Sequence, residues 1–100
     1  MNTHAMKLVT IVGEALARER VTRLLSEEGA RGYTLFAVEG TGAKGSRVAD
    51  IEEFTNIKIE VIVPEPIARR LLERIQRELL PHFAMIVFET DVRVLRHEKF

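Results

Sequence analysis

The chain has 100 residues, enough for one domain with a modest core. Fifteen basic and fifteen acidic residues cancel, so no overall field draws in nucleic acid or an anionic membrane, and any anion binding must be local. There is no cysteine, which excludes disulfides, thiolate catalysis and cysteine-based metal sites. The first six residues lack an apolar stretch behind a basic start, so no signal peptide is expected, and no apolar run approaches the ~20 residues that span a bilayer. A cytoplasmic protein is the expectation.

In chain order, Lys7-Leu8-Val9-Thr10-Ile11-Val12 is a β-branched run bounded by Gly13 and reads as a central strand. Residues 1–6 read as an N-terminal extension, with residues 7–100 forming the domain. The period then changes: Ala17, Val21, Leu24, Leu25 and Glu28 share one helical face, and Gly29 suits the position after the helix. Residues 32–38 form a second strand that runs into a glycine-rich loop. Asn56–Val63 alternates cleanly, with Ile57, Ile59, Val61 and Val63 on one side and Asn56, Lys58, Glu60 and Ile62 on the other. Pro64-Glu65-Pro66 breaks that strand, and Pro66 suits the first position of a helix reaching about Leu80. Its buried stripe is Ile67, Leu71, Leu72, Ile75 and Leu79, and Pro81 stops it. Residues 85–89 form a fourth strand, and residues 92–95 add a short edge piece.

The order β-α-β-β-α-β predicts an α+β, ferredoxin-like sandwich, with two helices on one face of a four-stranded antiparallel sheet. The other face of such a sheet offers about 400 Å². If half is apolar, its burial supplies about 5 kcal/mol before the cost of association. Strands one and four place Val, Ile, Leu and Phe on both of their sides, which predicts a homo-oligomer with Lys58 and Glu60 paired inside it or lining its axis.

The chemistry concentrates in residues 39–55, where three of the six glycines (Gly40, Gly42, Gly45) stand among Lys44, Ser46 and Arg47. Glycine lets backbone N–H groups turn towards an anion, and the two cations can neutralise it. The loop satisfies G-x-G-x-x-G, but too few residues follow before the next strand for the helix of a dinucleotide fold. It also misses a Walker motif, because Lys44 precedes Gly45 rather than following it. By spacing alone the loop is either an anion cradle or a mobile hairpin tip.

Other candidates are poor. His4, His82 and His97 have no second ligand at helical or hairpin spacing, so no metal is expected. Glu52-Glu53 beside Asp50 reads as a solvated turn, and Ser26 and Ser46 lack His–Asp partners. The third strand has no aromatic on which RNA bases could stack, which sets nucleic acid aside. No catalytic constellation emerges, and a non-enzyme is expected.

Gly32-Tyr33-Thr34, Lys44-Gly45-Ser46-Arg47 and Asn56-Ile57-Lys58-Ile59-Glu60 together resemble the PII-like signalling proteins, closest to the SbtB/CPII-type branch associated with bicarbonate transporters and carboxysomes. The resemblance extends over nearly the whole chain. It implies a homotrimer with the sheets facing inward, residues 39–55 as the T-loop, and adenine nucleotide in the cleft between subunits. Gly45, Ser46 and Arg47, with Lys44, would hold the phosphate, and the main chain of Phe83, Ala84 and Met85 would meet the adenine. Such proteins sense AMP, ADP, ATP or cyclic AMP, some are linked to bicarbonate, and they signal through T-loop conformation to a membrane transporter or another partner.

Several departures narrow that implication. The loop has no tyrosine, so the uridylylation switch of the nitrogen-regulatory members does not transfer. The glycine- and lysine-rich stretch that precedes their fourth strand is missing, which weighs against triphosphate and 2-oxoglutarate. Met85 stands where close relatives often have glycine, and Asp50 stands near the place of a second arginine. A weaker cationic grip favours AMP or ADP over ATP. Without cysteine, the redox control of some relatives is not carried over. Two other readings remain open: slow nucleotide hydrolysis with Glu39 or another loop acid as base, and a trimeric scaffold of the CutA type that binds no nucleotide.

Overall fold

The structure is a computed structural model and describes residues 1–39 and 56–100. Strand β1 (His4–Glu14) leads through a 3-10 turn (Ala15–Ala17) into helix α1 (Arg18–Glu27). Strands β2 (Thr34–Val38) and β3 (Asn56–Val63), helix α2 (Glu65–Glu78), strand β4 (Met85–Val94) and a last 3-10 turn (His97–Lys99) follow. The strands pair antiparallel in the order β2-β3-β1-β4. This is the predicted βαββαβ sandwich.

The alternation in β3 is realised in full, with Ile57, Ile59, Val61 and Val63 buried and the intervening residues half-buried. Together with Val9 and Ile11 they form the sheet side of the core. Val21, Leu24 and Leu25 of α1, with Ala17 just before it, cover one part, and Ala68, Leu71 and Ile75 of α2, with Leu79 just after it, cover the other. In α2 the fully buried stripe includes Ala68, whereas Ile67 and Leu72 lie partly buried at its edges.

The helix ends follow from local chemistry. Gly29 adopts φ 86°, where a Cβ would be strained. Its N–H donates to the Ser26 carbonyl at 3.1 Å, and Ala30 N–H donates to the Leu25 carbonyl at 3.0 Å. Both bonds belong to a Schellman cap. Pro64 caps α2, which places Pro66 at its second position rather than its first. Proline is tolerated at either, because the N–H groups of the first turn have no helical partner.

Strands β1 and β4 are longer than their hydrophobic runs predict. β1 begins at His4, and the expected edge piece is the continuation of β4 itself. Lys7 pairs with Asp91, Met6 with Val92 and His4 with Val94 in an unbroken ladder. The polar stretch Glu89-Thr90-Asp91 does not interrupt it, and Lys7 bonds Asp91 and lies 3.8 Å from Glu89.

Candidate functional site

The sheet register brings one end of each strand into a row. Val38, the last residue of β2, pairs with Asn56, the first of β3, and Asn56 pairs with Glu14, the last of β1. One step back on β1, Gly13 pairs with Met85, the first residue of β4. The connection between β2 and β3 therefore leaves from and returns to the sheet end at which residues 83–85 stand. Lys44, Gly45, Ser46 and Arg47 lie in that connection, outside the described residues.

Residues 83–85 are held from both sides. The turn after α2 is fixed by His82 and Phe83 N–H groups, which donate to the Leu79 carbonyl at 2.9 and 3.0 Å. Phe83 and Met85, both half-buried, pack against the core, while Ala84 is exposed. The Arg20 guanidinium of α1 stands 5.9 Å from the centre of the Phe83 ring, within cation–π range. Sequence reasoning singled out Phe83, Ala84 and Met85 but missed Gly13 and Arg20. Gly13 had read as the end of a strand and not as a contact.

The uncovered face of the sheet is apolar around β1 and β4. Val12 pairs with Ile86 and Thr10 with Phe88 on that face. Ile86 is 66% exposed, Phe88 47% and, on β2, Phe36 39%. Lys58 Nζ sits 3.8 Å from Glu60 and 4.8 Å from the centre of the Phe36 ring. The expected Lys58–Glu60 pairing is thus made within one protomer.

Lys7 marks the opposite end of the sheet, in an open groove of about 490 Å³ lined also by Glu65, Asp91 and Arg93. A hydrogen bond to Asp91 raises the Lys7 pKa, and the neighbouring carboxylates of Glu89 and Glu65 act in the same direction. Its charge is already matched, so the groove is a poor anion site. The structure also unites two histidines whose spacing concealed them: His97 Nδ1 and His4 Nε2 are 3.2 Å apart. Among the described residues no group of three or more potential ligands is arranged to hold a metal.

A four-stranded antiparallel sheet with both helices on one side, and a β2–β3 connection based at the sheet end where residues 83–85 stand, is the architecture of a PII-like regulatory protein. The chain belongs to the P-II family: residues 6–99 match the model of that family, described as nitrogen regulatory protein P-II. It is similar to a PII-like signaling protein of Thermus thermophilus, with 42% identity and a TM-score of 0.86 over 100% of this chain and 99% of that one. It is also similar to CPII, a nitrogen regulatory PII-like protein of Thiomonas intermedia whose structure holds ADP, AMP and bicarbonate. That match has 30% identity and a TM-score of 0.89, covering 99% of this chain and 96% of CPII.

Proposed function

We propose that this protein is a homotrimeric sensor of adenine nucleotides that signals through the conformation of residues 39–55. The carrying observation is the row formed by Val38, Asn56, Glu14, Gly13 and Met85, which sets the base of that loop at the same sheet end as residues 83–85, with β1 between them. Phosphate would be gripped by Lys44, Gly45, Ser46 and Arg47, and adenine read by the main chain of Phe83, Ala84 and Met85. Similarity to CPII with ADP, AMP and bicarbonate bound supports AMP and ADP as ligands and bicarbonate as a co-ligand. The apolar outer face of the sheet is the surface on which three copies would meet.

Ligand binding orders a glycine-rich loop, and a partner reads the ordered or disordered state. The role is regulatory and not enzymatic. The branch resemblance supports a cytoplasmic role in inorganic carbon uptake or carboxysome function, with a bicarbonate transporter or a carboxysome-related protein as partner. In the described residues no helix is long and apolar enough to cross a membrane, so recruitment there would depend on such a partner.

A calorimetric panel of AMP, ADP, ATP and cyclic AMP, with and without bicarbonate, tests the reading. AMP and ADP should bind more tightly than ATP, with bicarbonate altering the affinity. No nucleotide binding and no thermal stabilisation by any of them would leave a scaffold. Steady conversion of nucleotide seen by chromatography would make the protein a hydrolase.

A further inference from the structure

We propose that Gly13 is a positioning residue for the nucleotide site: its missing Cβ lets β4 start close enough to β1 for the main chain of residues 84–85 to stand at the adenine edge. The inference rests on the nucleotide-sensing reading above. A Cβ on residue 13 would lie 2.7 Å from Met85 Cβ, 3.0 Å from the Ala84 carbonyl oxygen and 3.4 Å from Met85 Cα. Residues directly opposite in an antiparallel pair normally keep their Cβ atoms about 4.5–5.5 Å apart.

The requirement is for space and not for conformation, because Gly29 is the glycine with positive φ among the described residues. Nor can a flexible side-chain tip move aside, since all three obstacles are backbone atoms or a Cβ and travel with the main chain. The neighbouring anchors limit where the shift can go. His82 and Phe83 are tied to the Leu79 carbonyl, and Phe83 lies under Arg20. Alanine at position 13 must therefore displace residues 84–85, by roughly 1 Å. That is enough to stretch a hydrogen bond of normal length beyond its useful range.

The test uses the full-length protein and four forms: wild type, Gly13→Ala, Met85→Gly and the double variant. Each is titrated with ADP and GDP and melted without nucleotide. Wild type should prefer ADP. Gly13→Ala should weaken ADP at least about tenfold, the equivalent of one lost hydrogen bond. It should also narrow the ADP-to-GDP ratio, because the phosphate grip is elsewhere; a general loosening of the fold would weaken both nucleotides alike. Removing the Met85 Cβ relieves the shortest clash, so Gly13→Ala should matter much less in the Met85→Gly background. That comparison also serves if the single variant does not fold. An unchanged ADP affinity, an equal loss for both nucleotides, or no relief from Met85→Gly overturns the proposal. So does a wild type that binds GDP as well as ADP. A wild type that binds neither AMP nor ADP overturns the parent reading first and this one with it, and its titration separates the two failures.

Discussion

Arg74 of α2 places Nη1 3.1 Å from Oε2 of Glu28, the residue that closes α1, so charge as well as packing joins the two helices over the sheet. Arg70 Nε approaches the other Glu28 oxygen at 2.9 Å, and Arg74 also reaches Glu27 at 3.0 Å and Glu78 at 2.8 Å. The sequence places Glu28 on the inward face of α1, and the structure explains why a carboxylate is tolerated there. Both of its oxygens are occupied by guanidinium groups.

Stability should fall in acid as this cluster is protonated. The hydrogen bond from Arg74 holds the Glu78 carboxyl down at about 2, and hydrogen bonds from Arg70 and then Arg74 lower that of Glu28. The unfolded chain, with ordinary carboxylates near 4.5, binds more protons than the native protein in this range. The contribution of Glu78 is therefore complete above about pH 4.5 and is lost as pH falls towards 2. Glu78→Gln should cost more stability at pH 7 than at pH 3 and flatten the acid limb of the profile. Denaturant melts across that window check it, and a variant with an unaltered acid limb would show that the ion pair is screened into irrelevance.

Leu71 and Leu80 separate packing from mere hydrophobicity. Leu71 is 0% exposed under the sheet, whereas Leu80 is 40% exposed beyond the end of α2. Leu71→Ala should cost about 2–5 kcal/mol, through lost transfer energy and the cavity left behind. Leu80→Ala should stay within about 0.5 kcal/mol. Chemical denaturation at a fixed protomer concentration is required, because association would add to apparent stability. Equal costs at the two positions would contradict the assigned core.

Much of this fold was legible because its inner elements repeat strongly. Asn56–Val63 alternates without a fault, and the helical stripes around Leu24 and Leu71 match the period of a helix. The lengths of β1 and β4 were not legible. Glu89-Thr90-Asp91 looks like a break, yet the pairing with β1 runs through it, with Lys7 opposite Asp91. For the same reason His4 and His97, separated by nearly the whole chain, gave no local sign that they meet. In the candidate site the sequence supplied residue types at 44–47 and 83–85. It could not supply the alignment of the facing ends of β2 and β3 with residues 83–85 at one sheet end, which is a property of register, nor the contact between Gly13 and Met85, which depends on how closely two strands approach.

Phe88 tests the assembly. It is 47% exposed beside Ile86 on the sheet face away from the helices, where an apolar patch invites burial against other copies. Phe88→Asp leaves the helix-facing core untouched but would put an unpaired charge into the interface, at a cost of several kcal/mol per buried ion, roughly the scale of the association itself. Sedimentation at micromolar concentration should show a trimer for wild type and smaller species for the variant. A wild-type monomer, or a variant trimer as stable as wild type, would move the interface elsewhere.

Arg47 should carry much of the affinity for phosphate. Its guanidinium can offer paired donors to an anion, in a stretch where Gly45 removes the Cβ that would crowd the backbone N–H groups. A hydrogen bond to a charged group contributes roughly 1.5–3 kcal/mol, so Arg47→Ala should weaken AMP or ADP binding by about 10- to 100-fold. Lysine at the same position keeps the charge but loses the planar fork, so Arg47→Lys should recover only part of the affinity. A solvated phosphate grip is screened by salt, and the deficit of the alanine variant should shrink as ionic strength rises. Calorimetry across a salt series separates these outcomes. Equal affinity of wild type and Arg47→Ala at low salt would take Arg47 out of the site.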